Sequence, residues 1–345
     1  MLKVKQLGVA AAIALFAGAA MASNFRAADQ VYIPAAGHIV GANATFVSDV
    51  FISNLSDDSV DISVIYSGSP GLNTTTPFPK VLTLAPRERR ELLDFMSNTL
   101  HLTSAFGQVI LNGCLKDADC TPNATTGLNA NYRNISVESR IYSFTTGANQ
   151  ATAPTNGQLF SGIPWYNFVS ESASGAGLDK VFITGIRNTT QYKTNMGFVN
   201  ASQFSTTTLT AKLYSGSAPS TVIATATFTL PPLGFQQTQV GSSSLFGSAI
   251  PQAATSTNLF VTVEQGNTQK VVGGPNDADA NGCPTGCPAF FAYGSILDNA
   301  TQDATTLESQ YSLPLTNNAI TCIYSPDVAA CKSGTTIHRA AKHQF

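Results

Sequence analysis

The chain has 345 residues and a net charge of −2, with 11% charged and 43% hydrophobic residues. Such a length can hold two domains of ordinary size, each with its own core. A charged fraction well below the usual ~25% leaves Ser, Thr, Asn and Gln to form the surface. Without a long basic run, the composition excludes the electrostatic footprint of a nucleic-acid-binding protein.

In chain order, Lys3 and Lys5 precede an apolar run from Leu7 to Ala20, followed by the small-x-small site Ala20-Met21-Ala22. This pattern predicts a signal peptide over residues 1–22, cleaved after Ala22. The run is shorter than the ~20 residues of a bilayer span, and no later segment is apolar enough to cross. No cysteine follows the apolar run to take a lipid. The mature protein is expected to be secreted, at the cell surface or in the periplasm, with no membrane span.

The mature sequence repeats itself. "ISVIYSGS" (62–69) returns as "TAKLYSGS" (210–217). "VFISN" (50–54) pairs with "MGFVN" (196–200), and "LTLAP" (82–86) with "FTLPP" (228–232). An Ile-Pro segment, "VYIPAAG" (31–37) or "FSGIPWY" (160–166), is read as opening each half. Phe-Gly at 106–107 and 246–247 is read as a further shared landmark, before "QVILN" (108–112) and "FVTVE" (260–264). Each half closes on "ISVESRIYSF" (135–144) or "AFFAYGSIL" (289–297). Recurrence in the same order predicts an internal duplication.

These segments are short, rich in β-branched and aromatic residues, and bounded by Gly, Pro, Asn and Ser. Ile135, Val137 and Ile141 fall on one face with Glu138 and Arg140 on the other, and Val222, Ala224, Ala226, Phe228 and Leu230 alternate likewise. Period two with frequent turns predicts an all-β chain of two tandem antiparallel β-sandwich, Ig-like domains. The expected bounds are 23–156 and 157–312, with a C-terminal tail over 313–345. Few short helices are expected, the plausible one being "RERRELLDFMSNTLH" at 87–101. Trp165 is expected to pack at the junction between the halves.

Six cysteines fall in local pairs, Cys114 with Cys120, Cys283 with Cys287 and Cys322 with Cys331. In an oxidising compartment these read as disulfides, because the spacings do not match a C-x2-C zinc framework. Two long loops, roughly 113–134 and 265–288, each carry a cysteine pair and an Asp-Ala-Asp triplet.

The runs "IPAAGHIVGANATF" (33–46), "GQLFSGIP" (157–164) and "AYGSILDNATQDAT" (292–305) resemble a group of uncharacterised secreted bacterial proteins and modules. In that group a duplicated β-sandwich carries patterns such as IPAAxHxxGxxGTF and YxSxxDNxTxD at the repeat ends. The resemblance spans most of residues 31–305 and implies the fold and export. It transfers no catalytic residue. The chain departs from it at "VSD" (47–49) and in its two cysteine-bearing loops.

Candidate chemistry is sparse. Asp277-x-Asp279-x-Asn281-Gly282 places oxygen ligands at alternate positions and a glycine at a turn, which would suit calcium. Position 12 of that loop is Pro288 rather than a bidentate Glu, so a solvated loop is the competing reading. Asp298 and Asp303 are read as calcium partners or turn formers, and Asp117 and Asp119 as weaker candidates. No Gly-x-Ser-x-Gly elbow occurs. Of the histidines His38, His101, His338 and His343, the first is expected at a surface or cap, and the last two in the tail. No catalytic residue and no cofactor beyond that calcium is expected. The composition points to an exported, non-enzymatic structural or adhesive protein working through loops and sheet edges. Its partner would be an extracellular protein, a polysaccharide or a second copy of itself. A carbohydrate- or other ligand-binding module is the alternative, and a secreted hydrolase the third.

Overall fold

The computed structural model describes residues 27–68, 75–121, 129–164, 169–170, 180–201, 206–241, 244–265, 289–301 and 303–311. Residues 1–26 with the expected signal peptide, Trp165, residues 266–288 with Cys283 and Cys287, and residues 312–345 with Cys322 and Cys331 lie outside the described residues.

The first unit is built from β1 (Gln30–Val40), β2 (Ala44–Asn54), β3 (Val60–Gly68), β4 (Thr75–Leu84), β5 (Arg89–Leu92), β6 (Ala105–Leu115), β7 (Ile135–Thr145), β8 (Asn156–Ser161) and β9 (Ile163–Pro164). Its strands run in the order β4-β3-β6-β1-β2-β7-β8, with β5 on β2 and β9 on β1. β1 belongs to both layers of the sandwich. Gln30–His38 pairs with β6, and after a bulge between Ile33 and Ala36 the strand continues so that Ile39 and Val40 pair with β2. Between the layers lie Val31, Ile33, Ile62, Val64, Val109 and Leu111 from one side and Val50, Ile52, Ile135 and Val137 from the other.

The second unit comprises β10 (Val169–Ser170), β11 (Lys180–Ile186), β12 (Tyr192–Asn200), β13 (Thr207–Ser215), β14 (Ala218–Leu230), β15 (Phe235–Gln239), β16 (Leu259–Gln265), β17 (Ala289–Asp298), β18 (Ala304–Leu307) and β19 (Gln310–Tyr311). One sheet runs β14-β13-β16-β11-β19, the other β10-β17-β12-β15 with β18 on β17. Apart from β1 on β2, the pairings of the first unit return ten strands later. β1 on β6 becomes β11 on β16, β2 on β7 becomes β12 on β17, and β3 between β4 and β6 becomes β13 between β14 and β16. The two Tyr-Ser-Gly phrases occupy equivalent places, Tyr66 opposite Val109 and Tyr214 opposite Phe260.

The duplicated asparagines explain their own recurrence. Asn54, ending β2, donates through Nδ2 to the carbonyls of Asp58 (2.7 Å) and Ala85 (2.8 Å). Asn200, ending β12, donates to those of Pro231 (2.8 Å) and Leu230 (3.3 Å). Each clasps a proline-bearing corner that turns through a left-handed residue, Arg87 (φ 57°) in one unit and Leu233 (φ 55°) in the other. The surrounding backbone bonds match, since Asn54 N–H donates to Glu88 and Asn200 N–H to Gly234.

Several expectations are corrected. The helix expected over 87–101 is a strand, β5, followed by one π-helical turn, Phe95–Thr99. Helix propensity is weak beside a vacant sheet edge, and Arg89–Leu92 extends because β2 offers its backbone groups over Val50–Ser53. The two Ile-Pro segments are not equivalent. Ile33-Pro34 lies in β1, whose counterpart is β11 with its own bulge between Thr184 and Ile186, whereas Ile163-Pro164 is β9 and pairs with Val31 and Tyr32. Residues 156–164 accordingly hydrogen-bond to β7 and β1 of the first unit, so the expected boundary after 156 falls ahead of strands that close that unit. The Phe-Gly landmarks also differ. Phe106-Gly107 is in β6, while Phe246 caps a 3-10 turn before β16.

The sandwiches pack against each other through outer sheet faces. Tyr32, Ile65 and Ile110 meet Ala201 and Leu233, and Ala35 and Phe160 meet Val199, Phe235, Phe291 and Tyr293. Polar contacts close the same junction, with Gln108 Nε2 and the Ser67 hydroxyl both donating to the Leu233 carbonyl. Strands such as β1 are therefore buried on both faces.

Candidate functional site

The sequence-derived residues do not converge. Cys114 and Cys120 form a disulfide at the start of the β6–β7 loop. Closing so short a ring contributes roughly 2 kcal/mol on the chain-entropy account. Asp119 accepts the Thr121 N–H at 2.8 Å, and Asn129 and Asn131 donate to the Asp119 carbonyl. Asp117 bonds Lys80 at 3.1 Å and Lys116 at 2.5 Å. These acids are spent on the loop's own structure. Asp298 accepts the N–H groups of Ala300 and Thr301, and Asp303 that of Ala304, which makes both turn formers. Among the described residues no cluster of His, Cys, Asp and Glu could hold a metal. Asp277, Asp279 and Asn281 lie outside the described residues.

His38 is not a simple surface residue. Its Nδ1 lies 2.9 Å from both carboxylate oxygens of Asp94, and its side chain is 15% exposed. Asp94 adopts φ 45°, and its own N–H donates to Asp49, which also accepts the Tyr142 hydroxyl. Burial, the largest influence, raises the Asp49 carboxyl above its ordinary value against these hydrogen bonds. Sequence reasoning missed the pair because its members lie 56 positions apart. The pair fastens β1 to the turn after β5.

A second charged group lies on the β11-β16-β13 sheet. Glu264 is bridged by Lys212 and, at 3.3 Å, by Lys180. Partial burial opposes its ionisation, but the two ammonium groups outweigh this and hold its carboxyl below the ordinary value of 4.5. The folded chain binds fewer protons there than the unfolded one, so the contribution is complete above that value and is lost as pH falls through the folded one. Glu264→Gln is expected to lower unfolding free energy at neutral pH, with the gap from the parent closing in acid. Urea titrations at both pH values check this.

The most exposed structural feature is β14. It is the outermost strand of its sheet and runs for 13 residues, Ala218–Leu230, without one charged side chain and with a single proline, Pro219, at its start. Ala224, Ala226 and Phe228 lean on the core. Thr227 and Thr229 point outward and meet Thr210 and Thr208 across the hairpin at 3.3 Å. Val222 and Ile223, at the bulge, are 44% and 43% exposed. The equivalent edge of the first unit, β4, carries Pro77, Pro79 and Lys80. Proline and lysine are what edge strands use to refuse a partner. The remaining outer strands are short.

No protein-family model and no curated protein matches the sequence. Among solved structures, the chain is similar to the N-terminal CBM22-1–CBM22-2 tandem domain of Paenibacillus barcinonensis Xyn10C, at 9% identity and TM-score 0.17, over 85% of this chain and 94% of that one. It is also similar to the BSP domain of a biofilm-associated protein, at 11% identity and TM-score 0.18, over 85% of this chain and 61% of that one. Similarity this low carries no argument. Among the described residues no helix is long and apolar enough to cross a membrane.

Proposed function

We propose that the chain is an exported, non-enzymatic structural or adhesive protein that self-associates through β14. One observation carries the reading: a long sheet edge that has no charge and, from Ser220 to Leu230, no proline, beside an equivalent edge guarded by two prolines and a lysine on the same molecule. The occupant is β14 of a second copy, because a strand with no charge meets its own antiparallel image without repulsion. Its outward threonines would face threonines, a favourable cross-strand pair. The disulfide and the apolar leader pattern support export.

Sedimentation velocity over a range of concentrations tests it. The native chain is expected to dimerise or assemble, and Thr227→Lys/Thr229→Lys, whose partners across the hairpin are the uncharged Thr210 and Thr208, to remain monomeric with stability within about 1 kcal/mol of the parent. A native chain that stays monomeric throughout overturns the proposal. So does a double variant that assembles as before.

A further inference from the structure

Where the two sandwiches meet, they leave a cavity of about 360 Å³, within the range of small-ligand sites. It is lined from both units. Phe46, Phe106, Ile141 and Gln158 come from the first, Lys193, Asn195 and Gln237 from the second. Asn156 and Ile39, also in the lining, are exposed and bring the cavity to the surface.

The polar groups are placed by the fold. Gln158 Oε1 accepts the Ser295 hydroxyl at 2.9 Å, and Gln237 Oε1 accepts the Tyr293 hydroxyl at 2.7 Å. Each amide is thereby fixed with its NH2 group as the remaining donor. Lys193 and Asn195 alternate with Thr194 and Met196 on β12, so they face the junction while Met196 faces the core. Gly197 continues that face, where a Cβ would lie 2.1 Å from the Tyr293 ring. Among the described residues Lys193 is the one charged side chain of the lining, and no carboxylate accompanies it.

We infer that this cleft binds an acidic sugar, a uronic acid residue at a glycan end. Lys193 matches the carboxylate, the amides match hydroxyl groups, and Phe46 and Phe106 offer aromatic surface to the C–H face of a pyranose ring. An amino acid or a cation is disfavoured because its positive charge would face Lys193 with no carboxylate to receive it. This inference is independent of pairing at β14.

The test is titration of the full chain with D-glucuronate, D-glucose, the glucuronate methyl ester and acetate, followed by calorimetry. It is done in the parent and in Thr227→Lys/Thr229→Lys, so that assembly cannot mask binding. Glucuronate is expected to bind about tenfold or more tighter than glucose or the ester, the scale of one charge-assisted hydrogen bond. Lys193→Met is expected to erase that preference with an unchanged melting temperature, and Lys193→Arg to keep much of it. Equal binding of glucuronate and glucose, or an unaltered preference in Lys193→Met, overturns the inference. Acetate binding as tightly as glucuronate overturns the sugar assignment.

Discussion

Replacing Tyr293 by alanine is expected to cost about 3–5 kcal/mol, the scale of a large aromatic truncation in a packed core. Tyr293 is 1% exposed although it lies on the outer face of β17. Its ring meets Phe160 of the first unit edge-on at 5.3 Å and sits over Gly197, and its hydroxyl donates to Gln237. Burial drives its phenol far above the ordinary value, so it stays neutral throughout the working range. Tyr293→Phe keeps the packing and loses one hydrogen bond, an expected cost of about 1 kcal/mol. Gly197→Val approaches the damage of alanine at 293 from the opposite side, because the added side chain claims the space of the ring. Denaturant unfolding of the three variants measures this. A small effect of Tyr293→Ala would mean that the units do not depend on their shared face.

Asn54→Ala and Asn200→Ala are expected to destabilise by similar amounts, about 1–3 kcal/mol each, since each removes two hydrogen bonds to the corner carbonyls. Both asparagines are buried, at 2% and 0% exposure. The aspartate variants should be worse at neutral pH, because a carboxylate would face the same carbonyls with nothing to donate. Protonation restores one donor, so Asn54→Asp should recover part of its loss in acid while Asn54→Ala should not. Unfolding free energies at neutral and acid pH decide it. A harmless Asn200→Ala would remove the corner from the account of why the asparagine recurs.

Much of the fold was legible because strands alternate. Ala224, Ala226, Phe228 and Leu230 could be assigned to one face before any coordinates, whereas Val222, expected with them, is carried to the outer face by the bulge at Ile223. The repeated Tyr-Ser-Gly and Asn positions marked equivalent strands. Other elements misled for identifiable reasons. "RERRELL" has the charges and leucines of a helix, and only the vacant edge of β2 draws it into a strand. Ile33-Pro34 and Ile163-Pro164 look alike in isolation, yet one opens the first unit and the other pairs across it. The apolar density of "VYIPAA" was visible, but not that its two faces serve two different cores.

The amino-acid sequence by itself determined the all-β class, the duplication and the local disulfide at Cys114 and Cys120, all of which follow from short-range periodicity, repetition and spacing. The tertiary structure alone decided the rest. The His38–Asp94 pair, the Glu264 bridge and the cleft around Lys193 and Gln237 join residues tens to more than a hundred positions apart. Such contacts are set by which sheet faces pack together, and no local pattern encodes that. The physical reason is the same in each case: side-chain alternation tells a residue which way to point, and only the packed sandwiches supply what it points at.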